Sequence, residues 1–567
     1  MIIQADGFVK PKRRLFRKIH KRYTLSCGRY KDRRMLEQND NSTNHPIQTE
    51  ASHPAEAVRV PRVAAPASLE QRFLRFSVLL TTTYLCAMFL LHPLVFSNYY
   101  FNITETKQYF FLIASALYLL SLLFARIALP PDFGVARQKR RLHPSAIALL
   151  AFFAVSLVGS LMSRYPGEAF IGENNRYQGL LSLFCYACLV LALSRQKIDL
   201  KWPERAFLLG ASLVSLLGLF NHFGADPFGF YENLRVADRG RFLSTIGNAN
   251  FFGSYMVLSF AVAAGFFLRA NERLTRIFAT LVLALVSFGA LVSGSDSTVL
   301  GLLAIAAFAP LLLFSSAASF RRLPLCWGVV FLCAFLFGLL SAVLSSATYL
   351  SVFTAALCRP AVSLPLAAAA FALWFALSRV KPERLSRARR PYALALLIAL
   401  LVGALALVLL NTLLRALPLG SLARYLHFSE SWGTDRGKIW TFALRVYAEL
   451  PAAQQLFGAS SGALFHADAV SPLFSDAGLD TAHNEYLQYL VTNGALGLMS
   501  YLTALAFAMR AGFRRSKIEP IYRGPLLAVA AYALQAAVNI AQPMTTPLFF
   551  VLIGILISRK PEESSQV

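Results

Sequence analysis

The sequence predicts an all-α polytopic integral membrane protein with about fourteen transmembrane helices, within a range of twelve to fourteen. Three observations predict this class. The 567 residues are 56% hydrophobic and only 15% charged, whereas soluble domains contain about 25% charged residues. Apolar runs of the roughly 17 to 25 residues that cross a hydrocarbon core recur after residue 72. Lys and Arg gather in the short loops on one side of these runs.

We place fourteen spans from the positions of the apolar runs. Their centres lie near residues 84, 118, 153, 186, 212, 259, 285, 306, 335, 370, 401, 498, 532 and 552. The last two are separated by "NIAQPMTTP", which is also compatible with a kink inside one re-entrant segment. This ambiguity accounts for the range in the predicted number of spans.

The spans divide the chain into five regions. We predict a basic, disordered cytoplasmic tail at 1–72, spans one to eleven at 73–411, a long extracytoplasmic loop with an amphipathic helix at 412–482, spans twelve to fourteen at 483–558, and a cytoplasmic C-terminal tail at 559–567. The long loop therefore precedes the third-last span.

Six basic loops indicate the orientation. "ARQKRRLH", "SRQKIDLKWPER", "RANERLTR", "SFRRLP", "SRVKPERLSRARRP" and "MRAGFRRSKIEPIYR" all fall on the same side of fourteen spans. Because such loops tend to stay in the cytoplasm, both chain ends are predicted to be cytoplasmic. Residues 10–34 include twelve Lys or Arg and contribute much of the net charge of +26. We expect this charge to contact membrane lipids and not nucleic acid.

Three loops on the other side are long and rich in aromatic residues, Gly and Arg. They are "SRYPGEAFIGENNRYQG", "NHFGADPFGFYENLRVADRGRFLSTIGNAN" and residues 411–482. Loops longer than about a dozen residues are usually functional or disordered, and this composition favours function. The extracytoplasmic face is therefore the predicted place of activity.

The longest loop contains the predicted amphipathic helix, "RGKIWTFALRVYAEL" at 436–450. Its apolar residues recur at helical spacing with polar residues between them, which predicts a helix on or near the outer membrane surface. These residues are Ile439, Phe442, Ala443, Val446 and Tyr447. Gly458 and Gly462 follow and allow a tight turn.

The stretch "TAHNEYLQYLVTNGALG" at 481–497 places three polar residues just before span twelve. With Asp480 or Thr481 as the helix cap, His483 would lie in the first turn, where the helix dipole makes the potential positive. That potential keeps the imidazole neutral, as a general base requires, and attracts anions. The alternative for His483 is a cap or interfacial group, and Glu485 is expected to complement the helix dipole.

The stretch "HNEYLQYLVTNGALGLMSYL" resembles the His-Asn-x-x-Leu signature and following Gly-x-x-Gly of the bacterial O-antigen ligase and polymerase superfamily. Three more stretches are similar to that family: "GRFLSTIGNANFFGSYM" at 240–256, "DRGKIWTFALRVYAELPAAQQLFGASSGAL" at 435–464 and "SNYYFNITETKQYFF" at 97–111. Members act outside the cytoplasmic membrane on saccharides linked to undecaprenyl diphosphate. The resemblance implies that this chain moves such a saccharide to an acceptor hydroxyl, in the bacterial cytoplasmic membrane.

The resemblance also implies site residues. His483 is the implied catalytic base, and Arg436 is the second implied catalytic residue, as a ligand of the diphosphate. Arg241, Arg176 and Asn484 are implied to bind the lipid diphosphate or the glycan. Each has a structural alternative: Arg436 could hold its helix at lipid headgroups, and Arg241 could pack within its loop.

One departure from the family pattern concerns Asp296 in "SGSDSTVLG", near a position where many relatives have an arginine. Any role for that position is therefore in doubt. Cys185 and Cys188 lie in an apolar run without a second pair, which favours packing over metal binding. Asn248 and Asn250 are expected to form turns.

A sugar on a lipid diphosphate is already activated, so the transfer needs no nucleotide, and we expect no metal and no other cofactor. The transfer requires a base for the acceptor hydroxyl and positive charge for the leaving diphosphate, which Arg supplies. The acceptor could be a glycan, a lipid, a wall polymer or a protein, and ligase and polymerase both remain open. The main alternative is a flippase for lipid-linked oligosaccharides, which would place ionisable groups near the bilayer midplane. We expect few such groups within the spans.

Overall fold

The structure is a computed structural model that describes residues 69–128, 141–173, 176–344, 346–420, 423–464, 466 and 481–559. The predicted basic tail lies outside these ranges up to residue 68, and so does residue 560 onward. Asp480, one of the two predicted caps of span twelve, is also outside them.

Helices form almost all of the described structure, as the apolar composition predicts. In chain order the elements are α1 (Leu69–Cys86), α2 (Ile103–Ile127), α3 (Pro144–Leu161), α4 (Pro166–Ile171), α5 (Leu180–Ser194), α6 (Lys201–His222), α7 (Val236–Arg239), β1 (Phe242–Leu243), β2 (Gly247–Asn248), α8 (Ala249–Arg269), α9 (Arg273–Val292), α10 (Asp296–Leu313), α11 (Ala317–Val343), α12 (Val352–Leu357), α13 (Pro360–Ser378), α14 (Pro382–Arg387), α15 (Arg389–Asn411), α16 (Ala423–Leu426), α17 (Trp432–Glu449), α18 (Ala452–Phe457), α19 (Glu485–Ser516), α20 (Arg523–Gln535) and α21 (Thr546–Leu556).

Twelve helical segments in the described ranges are long and apolar enough to cross a membrane, and α5 and α21 are shorter apolar helices. Every predicted span coincides with one of these fourteen helices. The predicted fold class, an all-α polytopic membrane protein, is therefore confirmed.

Helix α8 lies at the centre of the bundle, and α15 lies at its rim. In α8, 83% of the apolar window is buried, whereas α15 has no buried residue. The contact between α8 and α20 requires two glycines, because a Cβ added at Gly265 would lie 2.6 Å from the Cα of Gly524. Such small residues let helix backbones approach closely inside a membrane.

The bundle has two chemically different ends. The three long loops lie at one end, which we call the site end, and the described parts of the basic loops lie at the other, which we call the basic end. At the basic end, the Arg515 guanidinium donates to the carbonyls of Ser558 (2.7 Å) and Arg559 (3.0 Å). Glu204 and Arg269 form an ion pair there. The cytoplasmic orientation of this end remains a prediction.

The spans contain more buried ionisable groups than the composition suggested, but these lie near helix ends. Lys107 is fully buried in the second turn of α2, and Glu485, 1% exposed, is the first residue of α19. Both belong to the site end. The pair of Glu204 and Arg269 joins the start of α6 to the end of α8.

Candidate functional site

Asn484 begins the helix that follows His483. Its Oδ1 accepts hydrogen bonds from the backbone N–H groups of Tyr486 (3.0 Å) and Leu487 (3.2 Å). These are two of the N–H groups that a helix start leaves without partners, so Asn484 is the N-cap of α19. The structure gives the Asn484 side-chain oxygen Oδ1 a capping role, and the predicted contact of Asn484 with substrate stays a prediction.

The predicted position of His483 within the helix is wrong. Thr481 does not cap α19, because the cap lies three residues later, and His483 precedes that cap. His483 has a φ of 47° and is half-buried. A left-handed backbone is unusual for a residue with a side chain and often marks a functional site. His483 still lies at the positive end of the α19 dipole.

A buried glutamate and a glutamine fix the backbone beside His483. The Gln488 side chain, one turn into α19, accepts a hydrogen bond from the N–H of Ala482 at 2.9 Å. The same amide donates from Nε2 to Oε1 of Glu173 at 3.2 Å. Glu173 is 2% exposed and belongs to the first long loop. The first long loop and the His483 stretch are therefore connected directly.

Glu485 does more than complement the helix dipole. Its carboxylate is buried and accepts hydrogen bonds from the hydroxyls of Tyr501 (2.9 Å) and Tyr532 (3.1 Å). The hydroxyl of Tyr486 donates to the carbonyl of Ala533. These contacts attach the start of α19 to α20, so the residues after His483 belong to the protein interior.

Helix α19 is interrupted at Gly494, which has φ 70° and ψ 177°. The interruption frees the carbonyls of Val491 and Thr492, which accept hydrogen bonds from the N–H groups of Ala459 and Ser460, both at 2.9 Å. The long loop is thus attached to the first part of α19. The φ of the preceding Gly458 is 94°, consistent with the tight turn predicted there.

The predicted amphipathic helix is present as α17, but its apolar face contacts protein. Phe442 and Ala443 of α17 form a buried cluster with Leu464, Ala482 and Val491. The residues just before and within α19 cover this face, and the predicted position of the helix on or near the outer membrane surface remains a prediction. Ala482 connects this cluster to the neighbouring His483.

Arg436 follows an unusual turn at the start of α17. Gly433, Thr434 and Asp435 have φ values of 60°, 59° and 65°. The Arg436 Nη1 donates to the Gly433 carbonyl at 2.5 Å and to the Thr434 hydroxyl at 3.1 Å. Burial lowers the pKa of the Arg436 guanidinium, and the negative charge of Asp296 opposes this decrease. Asp296, the departure from the family pattern, is therefore an electrostatic neighbour of Arg436.

Arg241 lies at the start of a two-stranded antiparallel sheet formed by β1 and β2. Its side chain is exposed, and its carbonyl accepts a hydrogen bond from Ala249 N–H at 2.9 Å. Asn248 caps α8 by accepting from Asn250 N–H. The Asn250 Oδ1 accepts from the Ser295 hydroxyl at 2.6 Å, which connects the Arg241 sheet to the start of α10, where Asp296 lies.

Arg176 meets the same region from the first long loop. Its guanidinium carbon lies 5.9 Å from the ring centroid of Phe251, in the first turn of α8. Such a cation–π contact orients the guanidinium. Arg176 and the Arg241 sheet therefore share the start of α8.

The stretch at 97–111 also lies at the site end, where it holds a neighbouring loop in place. The buried Lys107 ammonium donates to the carbonyls of His92 (3.1 Å), Pro93 (2.8 Å) and Val95 (2.8 Å). The Pro93 carbonyl also accepts from the hydroxyl of Thr245, between β1 and β2, at 2.7 Å. Lys107 thus fixes a loop against the Arg241 sheet.

All four stretches of the resemblance therefore meet at the site end through hydrogen bonds, ring contacts or charge. The contacts join the elements that present His483, Arg436, Arg241 and Arg176. Glu173, Gln488 and Lys107 were not predicted from the sequence. Of these three, Glu173 could have been identified from the sequence, because it is an acid in "GENNRYQG", a loop that was already predicted to be functional.

The fold and the site define a multi-pass membrane protein with a polar site, rich in arginine, at one end. Residues 350–502 match the family model described as O-Antigen ligase. The matched segment runs from the residues before α12 into α19 and includes Arg436, His483 and Asn484. This segment is similar to the O-antigen ligase family, and the predicted resemblance is confirmed. No curated protein matches the chain significantly.

The family connects the chain with glycan assembly of the O-antigen ligase and polymerase type, and with a glycosyltransferase-like activity. No group of three or more His, Cys, Asp or Glu side chains within the described ranges is arranged to hold a metal ion. Metal independence remains a prediction.

Proposed function

We propose that the protein transfers a saccharide from a polyprenyl diphosphate to an acceptor hydroxyl at the extracytoplasmic face of the bacterial cytoplasmic membrane. The observation that supports this most is the convergence at the site end. Three loops that contain arginine and the His483 stretch lie together there: Glu173 bonds Gln488, Arg176 contacts Phe251, and the charge of Asp296 acts on Arg436. A base and several fixed positive charges are what this transfer requires.

His483 takes the proton from the acceptor hydroxyl as its oxygen attacks the anomeric carbon. The bond between that carbon and the diphosphate oxygen breaks, and polyprenyl diphosphate leaves with the bonding electrons. Arg436, Arg241 and Arg176 stabilise the negative charge that develops on the diphosphate, because guanidinium groups stay charged and bind phosphate through paired N–H donors. The chain's own residues thus supply both the base and the positive charge for the leaving diphosphate, with no nucleotide involved.

The turn before Arg436 supports its role as a ligand. Three successive residues with positive φ are costly, at about 1 to 2 kcal/mol for a non-glycine residue, and they lead directly into Arg436, on whose guanidinium the negative charge of Asp296 acts. A surface helix that only contacts lipid headgroups does not need such a turn. Asp296 balances one positive charge, so that the site binds a diphosphate without an excess of unpaired charge in the unliganded protein.

The test is release of polyprenyl diphosphate from lipid-linked oligosaccharides by the full-length protein in nanodiscs, with chelator present. Wild type should release the lipid, and His483→Ala should reduce the rate by about 10²- to 10⁴-fold, the usual contribution of a general base. His143→Asn is the matched control, since His143 caps α3 at the basic end through its Nδ1 and Asn can keep that bond. Its rate should equal that of wild type.

Arg436→Ala should lower the rate by about 10²- to 10³-fold, as for other groups that stabilise developing charge. Arg235→Ala is its control, because Arg235 lies in the second long loop with 91% of its side chain exposed. Near-normal release by folded His483→Ala would refute the assignment of the base, and equal loss in both arginine variants would refute the assignment of Arg436.

The products separate the finer alternatives. Longer glycans on the lipid would identify a polymerase, and release that requires an added acceptor would identify a ligase. A flippase would move the donor between vesicle leaflets without releasing the diphosphate. The positions of Lys107, Glu485 and the pair of Glu204 and Arg269 near helix ends favour the transferase, because transporters concentrate such groups near the midplane.

A further inference from the structure

A cleft of about 1030 Å³ opens at the basic end, far along the helices from His483. The start of α1, the end of α2, the end of α5 and the start of α6 form its walls. The lining residues form two groups, an apolar part and a charged part that we call the mouth. The cleft is separate from the site end, and the proposed transfer does not use it.

The apolar part consists of residues on three helices that face one another. They are Phe73, Leu74, Leu79, Leu119, Leu122 and Leu191. Leu79 is 66% exposed in the isolated protein, and exposure of this kind on a membrane helix means contact with lipid chains. The apolar wall of the cleft is therefore open at Leu79.

The mouth is strongly basic. Arg75, Arg126, Arg195, Lys197 and Arg559 line it, and the single acid among the lining residues is Asp199. One carboxylate oxygen of Asp199 accepts a hydrogen bond from the backbone N–H of Lys201 at 3.0 Å. This carboxylate therefore already bonds the first residue of α6. The mouth therefore has an excess of positive charge directly above an apolar cleft.

The base of the mouth is rigid. The Arg559 N–H donates to the Gln196 carbonyl at 2.9 Å, and Lys197 and Arg559 form a parallel bridge. The Arg515 guanidinium restrains the same segment further, because it donates to the Ser558 and Arg559 carbonyls. The backbone that presents two of the five basic side chains is thus fixed before any ligand binds.

We infer that this cleft binds an anionic phospholipid, with its acyl chains along the apolar walls and its phosphate between the arginines of the mouth. Guanidinium groups bind phosphate oxygens in pairs, and basic pockets between transmembrane helices bind the headgroups of anionic lipids. The basic segment at residues 10–34 does not fit as the occupant, because its twelve Lys or Arg have the same sign as the mouth.

Trp202 provides the measurement, because it lines the cleft and is 62% exposed. Bromine on lipid chains quenches nearby indoles, so nanodiscs are prepared with brominated phosphatidylglycerol or with brominated phosphatidylcholine of the same chains. The Trp202 signal is the difference between wild type and Trp202→Phe. We expect at least about threefold stronger quenching of this signal by the anionic lipid at a low mole fraction.

The triple variant Arg75→Gln, Arg126→Gln and Arg195→Gln should remove the preference for the anionic lipid and equalise the two lipids. A charge-matched control is Arg384→Gln, Arg387→Gln and Arg390→Gln, on exposed positions of α14 and α15 away from the cleft. The control should keep the wild-type preference. A triple Arg→Lys variant at the cleft should also keep most of it, which separates loss of charge from a folding defect.

Three results would overturn the inference. Equal quenching by the two lipids in wild type would show that the cleft does not select charge, and loss of the preference in the control triple alone would assign the selection to another surface. Inorganic phosphate or glycerol phosphate at millimolar concentration should leave quenching unchanged. Displacement by either would show that the mouth binds a soluble phosphate and not a lipid.

Discussion

The interruption of α19 at Gly494 determines how the long loop is attached beside His483. At φ 70° and ψ 177° a side chain is strained by about 1 to 3 kcal/mol. A Cβ there would also lie 2.3 Å from the Leu456 carbonyl oxygen and 2.5 Å from the Gly458 nitrogen. Gly494→Ala must therefore move the loop or close the helix.

Either response breaks the hydrogen bonds from Ala459 and Ser460 to the carbonyls before the interruption, at about 1 kcal/mol each. Together with the strain, we expect Gly494→Ala to lower the free energy of unfolding by about 3 to 5 kcal/mol. The measurement is unfolding in mixed micelles with increasing SDS, followed by far-ultraviolet circular dichroism, with donor release measured in parallel.

Gly403→Ala is the control, because a Cβ there meets no atom within 4 Å. Gly403 lies inside the exposed helix α15, so this change should stabilise the protein by about 0.5 to 1 kcal/mol or leave it unchanged. A Gly494→Ala protein that unfolds within about 1 kcal/mol of wild type and keeps full activity would refute the account of the α19 interruption.

Three further results are expected. Asn484→Ala should cost about 1 kcal/mol by removing the α19 cap, whereas Asn484→Asp should retain it, and equal losses in SDS unfolding would contradict the capping role. Gln488→Leu removes the acceptor of Ala482 N–H and should reduce donor release more than tenfold in folded protein; unchanged turnover would show that this contact does not position His483. Burial, followed by the charge of Lys107, lowers the pKa of the His92 imidazole well below its usual range. The unfolded chain therefore takes up this proton first as the pH falls below about 6.5, and stability should decrease there by up to about 1.4 kcal/mol per pH unit. His92→Gln should remove this slope in unfolding at pH 7.5, 6.5 and 5.5, and an identical slope in both proteins would contradict it.

The predicted spans and the amphipathic helix depended on patterns that one segment contains by itself. An apolar run long enough for a bilayer folds as a helix wherever its neighbours lie, because its backbone groups must bond internally. The apolar spacing of Phe442 and Ala443 likewise predicted the buried face of α17. The sequence could not show that α19, and not lipid, covers that face, because both surfaces are apolar.

The arrangement of the site was predicted only in part. The match to the O-antigen ligase family confirms the recognition that the His-Asn stretch allowed. The link from Glu173 through Gln488 to Ala482 joins residues separated by more than 300 positions, and no local pattern specifies such a pair. The cap was misplaced because Thr481 and Asn484 are both good N-caps, and only the course of the chain around His483 distinguishes them.

The end of the chain has a practical consequence for topology mapping. Helix α21 has eleven residues and extends about 16 Å, roughly half of a hydrocarbon core. Residues 539–545 before it are not helical, and their polar groups bond within the bundle, as in the contacts from Gln542 to Thr545 and Thr546. A reporter fused after residue 544 would remove both of these partners and give a misleading orientation. Cysteine labelling of the intact chain is therefore the appropriate way to determine which face each end occupies.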